Sequence, residues 1–336
     1  MSIAVIGAGA IGGLVAGYLK LKRQDVSLVG HADSINAVKK NGLQISGVRG
    51  NFNIKIDASD KLNYAPDLVI LATKTQDIDA ALKDNLKFLK AAIILTTQNG
   101  VRADDIAAKY LPPQNIISSI IMFGATYLKP GEFVHNFEGS WIIGRLFNTP
   151  YEKILTTNRI LNEIFPTVSS EDIKGMKYLK IFVNANNCIP AILGMSMQEA
   201  FSDINISRIS IGIWREGLEI VKKAGINLVS LPDFSLERLI KLTSLPTDEA
   251  ARVYSGIMLN LSKEPLYGSI LQSIKRGRPS EIDYLNGEFM RLAEENNLIA
   301  PLNEKLVAMV HKVEEGNKFF TKDELINNTR EWVDSR

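Results

Sequence analysis

Lys180, Asn184 and Asn187 stand four and three residues apart in the stretch Tyr178-Leu179-Lys180-Ile181-Phe182-Val183-Asn184-Ala185-Asn186-Asn187-Cys188. At about 100° per helical residue, Asn184 lies about 40° to one side of Lys180 and Asn187 about 20° to the other. One face of an otherwise apolar helix then carries an amine and two amides. Burying such groups unpaired costs about 1–3 kcal/mol each, so the face needs hydrogen-bond partners or a polar ligand. A solvated stripe is the alternative, and Ile181, Phe182, Val183 and Ile189 leave it little room. An amine on such a face suits chemistry in which negative charge develops on an oxygen and a proton must follow.

Two further sets carry chemical side chains. Ser269 follows Gly268, and twelve residues on comes Glu281, within Pro279-Ser280-Glu281-Ile282-Asp283-Tyr284-Leu285-Asn286-Gly287. Ser280 is a natural helix cap and Glu281 suits the positive end of a helix dipole, which explains both without any ligand. Lys74 directly follows a strand ending Leu71-Ala72, and Asn99-Gly100 follows one ending Leu95-Thr96. Both sit at carboxyl ends of parallel strands, where the ligand crevice of an open sheet lies. A solvated lysine and a plain turn are the alternatives.

These residues need a scaffold, and the first thirty residues announce one. Ser2 to Ile6 is a β-rich run, Gly7-Ala8-Gly9-Ala10-Ile11-Gly12 follows at once, a small-residue helix comes next, and Val26 to Val29 is a second strand. That is one βαβ unit with a dinucleotide-binding turn. Gly7 permits the turn, Gly9 lets a pyrophosphate approach the backbone, and Gly12 lets helix and sheet pack closely. Ala8, Ala10 and Ile11 complete the phosphate cradle at the helix N-terminus. The second strand is followed by Gly30-His31-Ala32-Asp33-Ser34. An acidic residue at this place would select NAD and an arginine NADP. Asp33 is expected to cap a helix Ser34 to Lys40, leaving His31, Lys39 and Lys40 to supply positive charge. The expected cofactor is NADP, with NAD as the alternative. FAD uses the same turn, but no second flavin signal accompanies it.

The rest of the chain bounds these readings. Its 336 residues, 46% of them hydrophobic, suffice for two cores. A net charge of +2 gives no field for nucleic acid or membrane, and a single cysteine fits a reducing cytoplasm. His31, His135, His311 and Cys188 lack metal-ligand spacing, so no metal is expected. Gly194-Met195-Ser196-Met197-Gln198 is not a nucleophile elbow. Lys275-Arg276-Gly277-Arg278 reads as a solvated turn or an anion site. Up to about residue 145, strands and helices alternate: Asp67–Ala72, Ala91–Thr96 and Ile116–Phe123 as strands, Ile78–Leu89 as a helix, and Asn41–Ile56 as an inserted strand pair. Phe133–His135 and Trp141–Ile143 read as late strands. Long helical patterns follow, at Lys174–Leu193, Ile204–Ala224, Ala250–Leu261, Ser280–Asn296 and Pro301–Glu314. The fold class is therefore α/β: an N-terminal Rossmann-type doubly wound sheet and a C-terminal all-helical domain, divided as residues 1–165 and 166–336, with the cleft between them as the expected ligand site.

Taken together, these residues resemble the ketopantoate reductase (2-dehydropantoate 2-reductase) family along nearly the whole chain. The likeness rests on the glycine turn, Lys74, Gln98-Asn99-Gly100, the helix with Lys180 and Asn184, and Ser269 with Glu281-Ile282-Asp283-Tyr284-Leu285-Asn286-Gly287. It implies NADPH-dependent reduction of a 2-keto acid in pantothenate biosynthesis. In that scheme Lys180 is the general acid, and Glu281 holds Lys180 and a substrate hydroxyl. Asn99, Asn184 and Ser269 bind substrate, and Lys74 lines the nicotinamide side. Three positions depart from the family: His31 replaces a common arginine, Tyr178 a common tryptophan, and Cys188 the second family asparagine, for which Asn187 can substitute. The expected partner is a small-molecule keto acid, with a homodimer as the assembly. Two other readings remain open: a D-mandelate-like 2-hydroxy-acid dehydrogenase using NAD, and a non-catalytic NADP-sensing protein.

Overall fold

The computed structural model describes residues 1–262 and 264–334. The chain forms two compact units, Met1–Lys174 and Gly175–Arg336. The division falls beyond residue 165 because a last strand, Thr167–Ser170, pairs with Trp141–Gly144 and stays with the first unit.

Unit 1 holds twelve strands: β1 Ser2–Ile6, β2 Asp25–Val29, β3 Leu43–Gly47, β4 Phe52–Ile54, β5 Asp57–Ser59, β6 Leu68–Leu71, β7 Ile93–Thr96, β8 Ile116–Ile121, β9 Gly124–Lys129, β10 Glu132–Phe137, β11 Trp141–Gly144 and β12 Thr167–Ser170. Its helices are α1 Ala10–Leu21, α2 Ala32–Asn41, α3 Ile78–Leu89, α4 Ala103–Ala108 and α5 Tyr151–Asn162. Eight strands make one sheet in the order β12-β11-β8-β7-β6-β1-β2-β5, parallel except where β11 meets β8. Strand order reverses at β1, between β2 on one side and β6 on the other. This is the doubly wound pattern, and the reversal makes a crevice at the carboxyl ends of β1 and β6. The sheet is covered on both faces. Ile3 and Val5 of β1 enter the core that contains α1, whereas Ala4 and Ile6 enter the core that contains α3. Strands buried on both faces read as continuous apolar runs, as Leu68–Leu71 does.

A second sheet, in the order β4-β3-β10-β9, was not expected as a separate layer. It packs on the far side of α1. A Cβ at Gly13 would come within 2.2 Å of the Phe133 ring, and one at Gly17 within 2.4 Å of Ile45 Cδ1. The small-residue run in α1 therefore serves this close packing, with the helix buried between two sheets.

Unit 2 is helical: α6 Ile173–Ala185, α7 Cys188–Leu193, α8 Met197–Phe201, α9 Ile204–Lys223, α10 Leu236–Ser244, α11 Thr247–Leu259, α12 Ser269–Ile274, α13 Asn286–Glu295, α14 Pro301–Gly316 and α15 Lys322–Asp334. The long α9 is its hub, touching α8, α10, α11 and α13 to α15. Gly217 of α9 admits the Phe289 ring, whose Cζ would lie 2.8 Å from an added Cβ.

Two expected helices are broken. Lys174–Leu193 divides at Asn186-Asn187 because Pro190 has no N–H to offer Asn186, and its ring would clash with that carbonyl in a continuous helix. The last turn of α6 leaves carbonyls without helical partners, and Trp214 Nε1 of α9 donates to that of Phe182 at 2.8 Å. Ser280–Asn296 is broken too: Ile282–Tyr284 is a 3₁₀ turn, Leu285 leaves helical geometry at φ −114°, ψ −91°, and α13 starts at Asn286. Glu281 thus precedes a 3₁₀ turn and lies outside the first turn of an α-helix.

Candidate functional site

In unit 1, the glycine turn, the Lys74 loop and the Asn99 loop all leave carboxyl ends of parallel strands. Gly7 adopts φ +117°, and its N–H reaches Val29 O at 2.8 Å. A Cβ there would strike the Ala72 backbone at 2.5 Å, and one at Gly12 would lie 1.8 Å from Gly7 O. Both positions exclude any side chain. Gly9 differs. It caps α1, and a Cβ added to it meets nothing within 4 Å. The protein does not need that glycine for its own packing. The space over it, at the N-terminus of a helix of twelve residues with Ala8, Ala10 and Ile11 around it, fits a dinucleotide pyrophosphate.

Gln98 binds the neighbouring loops together. Its Nε2 donates to Leu71 O at 2.8 Å and Thr73 O at 2.9 Å, and its Oε1 accepts from Thr97 N at 3.0 Å. This fixes the loop bearing Lys74 against the loop bearing Asn99, and both side chains are half-buried. Thr73 Oγ1 is buried without a hydrogen-bond partner at the same place. A hydroxyl so placed can serve a ligand, and apolar periodicity gave no signal for it.

At the end of β2, His31 is exposed and is itself the N-cap of α2, at φ −62°, ψ 148°. The helix starts at Ala32, so Asp33 lies in its first turn and is not the cap expected from sequence. Lys39 and Lys40 occupy the last turn of α2. A helix of ten residues is about 15 Å long, so these lysines do not flank His31. The basic group at the β2 terminus is His31 alone of the three.

In unit 2, Lys180 and Asn184 lie one turn apart on α6, both half-buried. Burial lowers the Lys180 amine from its usual 10.5 to about 8, with the charge of Asp233 acting in the opposite direction. The carboxylate acting on the amine within this unit is that of Asp233, not Glu281. Asp233 sits in the turn closed by the Leu231–Phe234 bridge and had no motif to mark it. Asn187 is not on the Lys180 helix, as expected from the wheel, but caps α7 beyond the break. There it meets the start of α12: a Cβ at Gly268 would come within 3.2 Å of Asn187 Cβ and Cγ. The break at Pro190 therefore turns Asn187 toward Gly268, directly before the exposed Ser269. Glu281 is half-buried on its own turn.

The family model for ketopantoate reductase PanE/ApbA matches residues 3–148, and that for the ketopantoate reductase PanE/ApbA C terminus matches 172–314. The chain belongs to the ketopantoate reductase family. It is 32% identical over 313 residues to a 2-dehydropantoate 2-reductase of Pyrococcus horikoshii, covering 92% of this chain and 96% of the relative. To that of Pyrococcus abyssi it is 30% identical over 324 residues, covering 95% and 100%. Among solved structures, D-mandelate dehydrogenase with NADH and anilino(oxo)acetate superposes with a TM-score of 0.80 at 24% identity, over 94% of this chain and 99% of that one. A PanE/ApbA family ketopantoate reductase from Ralstonia eutropha gives 0.77 at 22%, over 94% and 99%. Those two likenesses are of fold.

The resemblance seen in the motifs is thus borne out, and the protein is an oxidoreductase by its family. Two of the positions expected from the motifs to depart from the family pattern, Cys188 and Tyr178, lie in the core. Cys188 is fully buried, its thiol pushed up to about 12 by that burial, with Asn286 Nδ2 donating to Sγ at 3.8 Å. Asn286 also donates to Asn303 Oδ1 at 2.9 Å. Position 188 here belongs to a core network. Tyr178 is buried too, its hydroxyl held up near 12 by desolvation and then by the nearby Glu288 charge. Among the described residues no cluster of three acidic, histidine or cysteine groups could hold a metal, and no helix is long and apolar enough to cross a membrane.

Proposed function

We propose that this protein reduces a 2-keto acid with NADPH, and that the substrate is 2-dehydropantoate, reduced to pantoate. A nicotinamide dinucleotide held on the Gly7–Gly12 turn supplies the hydride. Lys74 and Asn99 line its nicotinamide side, on loops that Gln98 holds together. As the keto carbon accepts hydride, negative charge grows on its oxygen. Lys180, protonated below about pH 8, stabilises that charge and donates its proton to the oxygen. An amine brought toward neutral pH gives up a proton more readily than an ordinary lysine, and a general acid of this kind contributes roughly 10²–10⁴-fold. Asn184, Asn187 and Ser269 hold the substrate carboxylate and oxygens, and Glu281 holds the substrate hydroxyl and orients Lys180 at closure. NADPH is favoured over NADH, with His31 at the β2 terminus as the group that meets the 2′-phosphate.

The observation that carries this reading is the lowered Lys180 amine on a helix of a chain that belongs to the ketopantoate reductase family. The test is NADPH and NADH oxidation across a panel of 2-keto acids. The reading expects 2-dehydropantoate with NADPH to give the highest kcat/KM. Tight NADPH binding without oxidation by any keto acid would leave a nucleotide-binding protein instead.

A further inference from the structure

Two contacts tie the turn carrying Glu281 to α14, and a third, within α14, holds the histidine that makes one of them. The Ser280 backbone N–H donates to Glu314 Oε1 at 2.7 Å. His311 Nε2 lies 3.0 Å from Asp283 Oδ1, and His311 Nδ1 lies 3.0 Å from Glu314 Oε2. Ser280 and Asp283 bracket Glu281, so its backbone is held on both sides by one helix. That helix is itself fixed, with Leu306, Val310 and Val313 buried in the core. None of the three contacts uses the Glu281 carboxylate.

A neutral imidazole donates from one nitrogen and accepts at the other. Both His311 nitrogens face carboxylate oxygens, which accept only. The imidazolium alone can donate to both; the neutral ring would set one lone pair against another. Partial burial works to lower His311, but hydrogen bonds to Glu314 and Asp283, and their charges, outweigh it and raise the ring above its ordinary value. Asp283 from the 3₁₀ turn and Glu314 from α14 itself are the charged groups acting on it.

We infer that His311, as the imidazolium, is a positioning residue that clamps the Ser280–Asp283 turn to α14 and so sets Glu281, and that loss of its proton slackens this part of the site. The inference rests on the reading that Glu281 takes part in the reaction. His311 touches neither substrate nor nucleotide in this scheme. It acts through the backbone that presents Glu281.

The chain has three histidines, so the His311 ring can be followed through a pH titration by NMR. The clamp expects His311 to titrate above its ordinary value, and Asp283→Asn to move it down while His31 and His135 hold still. With NADPH and 2-dehydropantoate at pH 7, His311→Gln should lower kcat about 5-fold and leave the Kd for NADPH unchanged. His311→Lys, charged throughout, should restore most of that loss and remove the fall in kcat that accompanies His311 deprotonation. A wild-type His311 titrating at or below its ordinary value, or a His311→Gln variant with wild-type kcat and pH profile, overturns the clamp. Glu281→Gln separates this from the reading beneath it. If Glu281→Gln lowers kcat and His311→Gln does not, the clamp alone fails. If Glu281→Gln keeps wild-type kcat, the role given to Glu281 fails and takes the positioning claim with it.

Discussion

The lowered Lys180 amine makes a quantitative demand on the pH profile. With Lys180 as the proposed acid, reduction needs the protonated amine, so activity should be present below the folded pKa and lost above it. With a value of about 8, the protonated fraction is about 0.9 at pH 7 and about 0.1 at pH 9. The rate of keto-acid reduction at saturating NADPH should therefore fall about tenfold across those two units. A lysine at its usual 10.5 would lose less than about 5% over the same range. The assay is initial-rate NADPH oxidation with 2-dehydropantoate from pH 6 to 10, in the wild type and in His311→Lys, where the Glu281 turn no longer titrates with a histidine. The limb near pH 8 should survive in both. In Lys180→Arg the guanidinium stays charged, and any residual activity should be flat. A wild-type rate that stays level to pH 9 would show that the Lys180 amine is not the titrating acid.

Other consequences follow from named contacts. Gly9→Ala fills space no protein atom uses, so it should weaken NADPH binding by about tenfold or more while Tm moves by no more than a degree or two; calorimetric titration and a melt read both. An unchanged Kd would mean that the pyrophosphate does not lie over Gly9. Glu216, buried in α9, accepts from Leu302 N at 3.2 Å, Asn303 N at 2.9 Å and Asn303 Nδ2 at 3.0 Å, capping α14 from outside. Glu216→Ala should cost about 2–4 kcal/mol in urea unfolding, and a loss under about 1 kcal/mol would show that water replaces the carboxylate. His135 is fully buried 2.9 Å from the Tyr18 hydroxyl, and desolvation lowers its pKa, with Arg49 acting the same way against Glu138. The unfolded chain then takes up a proton that the folded chain refuses, so stability should be full above pH 6.5 and fall as pH drops from there toward the folded value. The urea midpoint of His135→Gln should fall less steeply than that of the wild type between pH 6.5 and 5; equal slopes would remove His135 from the acid sensitivity.

The sequence made the sheet legible where each apolar strand ended at a glycine turn or at a short loop. The α3 range, Ile78–Leu89, and the parallel strands that set the crevice could be read directly. What could not be read has physical causes. The second sheet lies on α1 through Gly13 and Gly17, and those glycines look the same whether they admit a phosphate or a Phe133 ring. The α6–α7 break was signalled by Pro190, yet the helical periodicity runs straight through it, so Asn187 was placed on the wrong helix. The turn at Glu281 has the composition of a helix start, and its contacts with His311 and Glu314, about thirty residues on in the chain, carry no local sequence signal. Asp233 carries no motif and reaches Lys180 only through folding of the loop before α10.

Lys180 is proposed to supply the proton in keto-acid reduction. Single-turnover oxidation of bound NADPH by 2-dehydropantoate, compared between wild type and Lys180→Ala, measures it directly. Loss of the amine should lower the rate roughly 10²–10⁴-fold and leave the Kd for NADPH unchanged. A rate within a few-fold of wild type would contradict it.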